Sequence, residues 1–544
     1  MSEARMKHGS ESFFIEGEGL LTTQVGGRTG DQAADPVSES ETPKAGAPQQ
    51  LAADVAPPFR FSRVGPKGTA LGAATTKKLA RAMVVGGGGV GDVPAGYTYL
   101  GQFLDHDLTM DRTDVMLGDD VRPIDLLQGR SPRLDLDSLY GNGPGDAASA
   151  RFYSDGLHLR TGTTIAISPD GAKVGHDLPR VGTGANKAAK RKANIPDLRN
   201  DENLVIAQTH LAMIHFHNKV VDKLPASLPP VEKFTRARKR VTLHYQWLVR
   251  HDFLPRICAA AVLDDVFAGG RKVVEPDAVP TSIPTMPVEF SVAAFRLGHS
   301  MIRSSYNWNR RFAGGSGTLD FLFAFSGTSG DLFGDIRLPS NWIADWRRMY
   351  DFPAGGRPGL AAPGSNVNQA MRIDRRLTDP LADLPLGSFG GDPSIPDGDL
   401  RRNLAFRNLV RANMVKLASG QQMVTRLKSK GVTVTALTRS QILTGNGGAK
   451  LDHLTAAEKD ALVAKTPLWF YILREAELNG GKLKGVGARI VAETFHRAME
   501  GSRFSIVRNP DFRPSLGRND TTFEMTDLLF FAFGTKAELN PLGG

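Results

Sequence analysis

The segment GQFLDHDLTMD (101–111) sets His106 between Asp105 and Asp107. A histidine beside carboxylates serves as a general base, as a metal ligand or as an ordinary polar residue on a helix. On a helix, successive side chains point about 100° apart. The three residues then fan over about 200° and cannot all ligate one ion. Gln102 and His106, at i and i+4, share one face. That face offers an amide and an imidazole to a small-molecule pocket, while Asp105 and Asp107 leave to either side.

A second acidic cluster lies in SPRLDLDSLYGNG (131–143). Asp135 and Asp137 are two apart, so an extended or looped chain turns them the same way. Calcium takes roughly six to eight oxygens from carboxylates, hydroxyls and backbone carbonyls. Asp135, Asp137, the Ser131 hydroxyl and the Arg133 carbonyl supply most of such a shell, and Asp107 can complete it from the helix.

These residues need a frame, and the frame reads as mostly helical. NLVIAQTHLAMIHFHNKVVDKL (203–224) repeats apolar residues every three or four positions, with Asp201 and Glu202 expected in its first turn. Segments 288–302, 401–418, 465–479 and 485–500 show the same period. Strand-like alternation is sparse, and long Gly/Pro stretches such as 351–366 join the helices. The glycine run VVGGGGVGD (84–92) lacks the Lys-Ser/Thr of a phosphate loop and reads as a plain turn. No internal repeat is present. Residues 1–57, rich in Gly, Ala, Pro, Ser and acids, read as a disordered N-terminal arm. The fold class expected is mainly α: one large helical domain over 58–544 with long loops and little β.

Composition narrows the function. Hydrophobic content of 41% and charged content of 23% over 544 residues suit a globular chain. No apolar run is long enough for a transmembrane helix. The N-terminus lacks the pattern of a standard signal peptide, so the expected compartment is cytoplasmic or reached by non-classical secretion. Cys258 is the single cysteine, which excludes an intrachain disulfide and a cysteine zinc cage. The net charge is +10, yet the basic residues are scattered and the densest run, NKAAKRKANIPDLRND, soon turns acidic. Solvated surface explains it better than a nucleic-acid partner. Oligomeric state is not readable.

Five blocks, AGYTYLGQFLDHDL, RLDLDSLYG, RNDEN, FRLGHSMI and RNLVRANMVKLASGQ, occur in that order. Together they resemble the peroxidase–cyclooxygenase superfamily of haem enzymes, the animal-type, myeloperoxidase-like peroxidases, and are closest to its bacterial peroxidase members. The blocks span about 95 to 420, and FEMTDLLFFAFGTKAELNPLG (523–543) resembles the family's C-terminal segment.

The resemblance implies a haem b peroxidase. It would reduce hydrogen peroxide and oxidise small donors such as phenols, halides or thiocyanate through high-valent iron, as in a response to oxidative stress. His106 resembles the distal histidine, Gln102 the distal glutamine and Arg199 the distal arginine. His299 resembles the proximal iron ligand. Asn408 resembles the asparagine accepting its other ring N–H; Asn403 competes, but Asn408 places Arg411 at the family's spacing. Arg296 and Arg411 resemble haem-propionate partners. Asp105 and Glu202 resemble carboxylates ester-linked to haem. Asp107, Ser131, Arg133, Asp135 and Asp137 resemble the calcium shell, although the family usually has Thr and Ser where this chain has Ser131 and Asp137.

Three departures stand out. Asn203 replaces the methionine that forms a sulfonium link to haem in myeloperoxidase. Arg296 stands where the fatty-acid-oxygenating branch has a radical-forming tyrosine. RANMVK replaces the usual R-x-R-D-H-G after the proximal asparagine. The alternatives are a fatty-acid dioxygenase on the same fold and a non-catalytic haem- and calcium-binding adhesion protein.

Overall fold

The structure is a computed structural model that describes residues 59–84, 86–111, 117–126, 128–385, 388, 394–446 and 451–544. The arm expected over 1–57 lies outside the described residues. Helices dominate, and the strands described form short two-stranded pairs. No helix among the described residues is long and apolar enough to cross a membrane.

The helices that bear on the site are α1 (Ala73–Met83), α2 (Gly96–Leu108), α3 (Leu204–Asp222), α4 (Pro230–Leu248), α5 (Gly298–Met301), α6 (Leu404–Met414), α7 (Leu468–Leu478), α8 (Gly485–Gly501) and α9 (Met525–Phe533). α3 is apolar nearly all round and is correspondingly enclosed: α2, α4 and α9 pack along it. α2 lies between α3 and α5. Its first turn approaches Tyr350 so closely that a Cβ on Gly96 would sit 2.3 Å from the ring, which is why glycine stands there. The glycine run is a loop leading into a strand at Val90–Pro94, which pairs antiparallel with Gln369–Met371. No helix N-terminus follows it directly, in keeping with a plain turn.

Two sequence expectations change. The acids expected in the first turn of α3 precede it: Asp201 closes a 3-10 turn (Leu198–Asp201), and Asn203 is the cap, its Oδ1 accepting from Ile206 N at 3.0 Å. The helix expected over 288–302 is broken into Val288–Ser291, a 3-10 turn at Ala294–Leu297, and α5. Ala293 leaves the helical region at φ −137°, ψ −66°. The break is satisfied by side chains: Arg296 Nε donates to the Ser291 carbonyl at 2.8 Å, and Trp469 Nε1 to the Arg296 carbonyl at 3.2 Å.

A π-helical turn at Val249–Phe253 joins α4 to a last helical turn at Leu254–Ile257. Such insertions re-aim side chains that a regular helix would point elsewhere.

Candidate active site

A cavity lies between α2 and the broken segment around α5. Gln102 and Asp105 line it from α2, and Arg296 and His299 from the other wall. Phe253 and Phe295 close its apolar side. Four of the residues singled out from sequence therefore meet around one space. A wider surface cleft lined by His158, Arg160, Lys219 and Arg337 holds none of them.

His106 is fully buried one turn beyond Gln102. Its Nδ1 lies 2.8 Å from Asn200 Oδ1, and the Asn200 amide nitrogen lies 2.9 Å from His210 Nδ1. An amide oxygen can only accept, so His106 Nδ1 carries the proton in this arrangement and Nε2 presents a lone pair. That Nε2 is buried without a hydrogen-bond partner, 4.0 Å from Glu202 Oε2. Burial, followed by the nearby Arg199 charge, pushes the His106 pKa down to about 3. The ring is neutral at ordinary pH and available as a base. Asn200 and His210 were missed in the sequence; no spacing rule links a residue in a 3-10 turn to one a few turns into the next helix.

Gln102 is oriented by the departure residue Asn203, whose Nδ2 donates to Gln102 Oε1 at 3.0 Å. Gln102 Nε2 is left buried with no partner. Gln102 Nε2 is thus a donor in the cavity wall, whereas His106, with its Nε2 acceptor, lies fully buried one turn further on and is not one of the lining residues.

Arg199 is buried behind His106. Nη2 donates to the His106 carbonyl at 3.0 Å, and Nε and Nη2 clasp Asp197 at 3.0 and 2.7 Å. Asp197 also receives Arg130 Nε at 2.8 Å. Burial alone would raise the Asp197 pKa, but Arg130 and Arg199 hold it well below the usual carboxylate range. Arg130 also lies 3.9 Å from Asp137 Oδ2, so its charge is shared between two carboxylates. Arg130 and Asp197 carry no motif in the sequence, because their pairing with Arg199 appears only when the chain is folded.

On the other wall, His299 is buried, and its Nδ1 lies 2.8 Å from Asn408 Nδ2. Asn408 Oδ1 is buried with no partner. Turning the amide over would let Oδ1 accept from Nδ1–H, satisfy the orphaned oxygen and free Nε2 as a ligand. Asn403 instead caps α6, accepting from Phe406 N at 2.9 Å. Arg411 is buried and ion-paired with Asp111. Cys258 is buried, and burial pushes its thiol pKa up, away from the thiolate a haem ligand would require.

Asp107 faces away from His106, as the helix geometry requires. Its oxygens accept from Leu136 N at 3.2 Å, Ser138 N at 3.3 Å and Ser138 Oγ at 2.9 Å. Leu136 adopts φ 63°, a left-handed conformation unfavourable for leucine and held here by that bond. Asp137 Oδ2 accepts from Ser131 N at 2.9 Å, and the Arg133 carbonyl accepts from Asp135 N at 3.0 Å. Burial first, and then the neighbouring carboxylates, raise the pKa of Asp107 well above its usual value and that of Asp135 to about 7. Asp135 Oδ1 and Asp137 Oδ1 are buried without partners. The donor chemistry suits a hard cation, while no group of three or more acidic, histidine or cysteine side chains among the described residues is arranged as a metal cluster.

The chain is a mostly helical domain with the haem-peroxidase fold. Residues 101–326 match the family model "Animal haem peroxidase". The match includes Gln102, His106, Arg199 and His299 and stops before Asn408 and Arg411. A peroxidase-like protein of Margaritifera margaritifera is 24% identical over 325 residues, 52% of this chain. The chain spans only 39% of that relative's length. Among solved structures, peroxidase A from Dictyostelium discoideum is similar with a TM-score of 0.52 and 16% identity, over 83% of this chain and 89% of that one. A fatty acid alpha-dioxygenase from Arabidopsis thaliana is similar with a TM-score of 0.51 and 12% identity, over 87% and 75%. At these identities the structural likeness is one of fold.

Proposed function

We propose that residues 58–544 form a haem peroxidase that uses hydrogen peroxide to oxidise small donors such as phenols, halides or thiocyanate. The observation that carries the reading is the His106 Nε2 atom: buried, neutral and without a hydrogen bond, on a ring fixed by Asn200. A buried base with a free lone pair, one turn from the cavity-lining Gln102, is a group that a peroxide ligand would satisfy. Bound haem b would supply the iron at which the peroxide O–O bond is cleaved.

The chain's own residues do the rest. His106 takes the proton from the incoming peroxide oxygen and returns it to the leaving one, a transfer worth roughly 10²–10⁴-fold. Arg199 holds the His106 backbone, and its guanidinium charge favours the departing anion. Gln102 donates from Nε2 toward the oxygen or halide in the cavity. His299 is the residue that would hold the iron, with Asn408 fixing its ring. Arg296 lines the cavity as a propionate partner, and Arg411 serves the second propionate beside Asp111. Asp105, in the cavity wall, and Glu202, 4.0 Å from His106 Nε2, are the carboxylates that would form haem esters. Asp107, Ser131, Arg133, Asp135 and Asp137 form the calcium site, which ties α2 to the 131–138 turn.

Reconstitution with haem tests the reading. A Soret band and peroxide-dependent oxidation of a phenolic dye are expected. Haem that survives acid–acetone extraction supports the ester links. Oxygenation of linoleate would favour a fatty-acid dioxygenase instead, a reading opposed by Arg296 in the position of that branch's tyrosine. Haem and calcium uptake without turnover would favour the adhesion protein.

A further inference from the structure

We propose that Tyr97 is a redox-active residue that holds an oxidising equivalent on the protein, with Asp252 as its proton acceptor. The inference rests on the peroxidase reading and goes beyond it. Tyr97 lines the same cavity as Gln102, Asp105 and His299. It stands two helical turns before Asp105, on the same face of α2. Its hydroxyl is buried and donates to both oxygens of Asp252, at 2.9 and 2.8 Å.

The π-helical turn is what delivers this partner. It sets Phe253 against the cavity and Asp252 against Tyr97. Asp252 is itself fixed by Arg256 Nε and Met525 N, each at 2.8 Å. Beyond Tyr97 the oxidisable rings continue. Tyr350 packs edge-on at 5.1 Å between centroids, and Trp346 lies 6.1 Å from Tyr350. All three rings are buried, so an equivalent placed on them is shielded from solvent.

The step balances. Tyr97 gives one electron to the haem site oxidised by hydrogen peroxide, which is reduced by one equivalent. The phenolic O–H bond breaks, an O–H bond forms on Asp252, and a neutral tyrosyl radical remains. A purely structural Tyr97–Asp252 contact would show the same distances, so a spectroscopic readout is needed.

The experiment mixes the haem-loaded full chain with one equivalent of hydrogen peroxide, freezes it and records the electron paramagnetic resonance spectrum. A tyrosyl signal is expected that is lost in Tyr97→Phe, with the resting Soret band unchanged, and kept in Tyr153→Phe, a buried tyrosine outside the cavity lining whose hydroxyl donates to the Tyr140 carbonyl. Asp252→Asn should slow its appearance; if that variant does not fold, Tyr97→Phe alone decides. A signal that persists in Tyr97→Phe overturns the proposal. So does the absence of any tyrosyl signal while peroxide still changes the haem spectrum, and then the peroxidase reading stands. Failure to bind haem, or a haem spectrum that peroxide leaves unchanged, overturns both.

Discussion

Asn200 Oδ1 lies 2.8 Å from His106 Nδ1, and the same amide reaches His210 on its other side. One side chain thus fixes both the tautomer and the ring plane of the candidate base. Its loss should be felt in the peroxide step and not in haem uptake. In Asn200→Leu, the second-order rate of reaction with peroxide should fall about tenfold or more, short of the roughly 10²–10⁴-fold loss for His106→Ala. Stopped-flow absorbance of the haem-loaded variants measures both. Equal rates in wild type and Asn200→Leu would remove Asn200 from the mechanism.

Asp107 neighbours His106 in sequence but serves a different structure. Asp107→Ala leaves Leu136 N, Ser138 N and the Ser138 hydroxyl without their acceptor, at about 1–3 kcal/mol for each buried group. It also frees Leu136 from the bond that holds its left-handed turn. The expected result is a lower melting temperature and weaker haem uptake. If calcium occupies the Asp107–Asp135–Asp137 cluster, chelation should lower the melting temperature of the wild type and have little further effect on Asp107→Ala. His106→Ala strands only Asn200 Oδ1, so it should lower the melting temperature less than Asp107→Ala and still bind haem. Identical behaviour of the two variants would show that the neighbours do not have separate roles.

The contrast between these residues explains how far the sequence could be read. Helical spacing alone puts Gln102 and His106 on one side of α2, but only Gln102 reaches the cavity lining; the divergence of Asp105 and Asp107 follows from the same geometry. Asn408 was singled out over Asn403 only by its spacing to Arg411, and it is Asn408 that lies 2.8 Å from His299 Nδ1. The Arg130–Asp197–Arg199 balance was not legible, since Arg130 reaches Asp197 across a fold that periodicity does not encode. The break in 288–302 was hidden for a related reason. The apolar period runs through it, and its cause is tertiary: Arg296 and Trp469 satisfy the backbone groups that a continuous helix would have used. Tyr97 and Asp252 sit in separate helices, and only the π-helical turn brings them together.

Asn203 performs two tasks that substitution can separate. Its Oδ1 caps α3, and its Nδ2 orients Gln102. Asn203→Ala should cost about 1 kcal/mol through the lost cap and also release Gln102. Asn203→Asp keeps the cap but turns a carboxylate toward Gln102 Oε1, so the glutamine amide should turn over and present its oxygen to the cavity. Stability should then stay near that of the wild type while oxidation of anionic donors falls relative to phenols. Thermal melts and a paired iodide and phenol assay check the two effects. If Asn203→Asp left the donor ratio unchanged, Gln102 orientation would not set donor preference.

His244 gives a pH dependence remote from the cavity. Its Nδ1 lies 2.7 Å from the Arg240 carbonyl, and Nε2 accepts from Ser515 N at 2.9 Å. The ring must therefore be neutral, and burial pushes its pKa down to about 4. Because the folded value lies below the unfolded one of about 6.5, the unfolded chain binds the proton more readily. The stabilisation is present above about pH 6.5 and is lost as pH falls toward 4. One such group removes about 2 kcal/mol by pH 5. His217, also pushed down to about 4 by burial, acts in the same direction. Denaturant unfolding at pH 7 and pH 5 should show this loss. His244→Gln, which has no titrating ring, should be less stable at pH 7 and show a shallower decline. An equally steep decline in that variant would place the acid sensitivity on other residues.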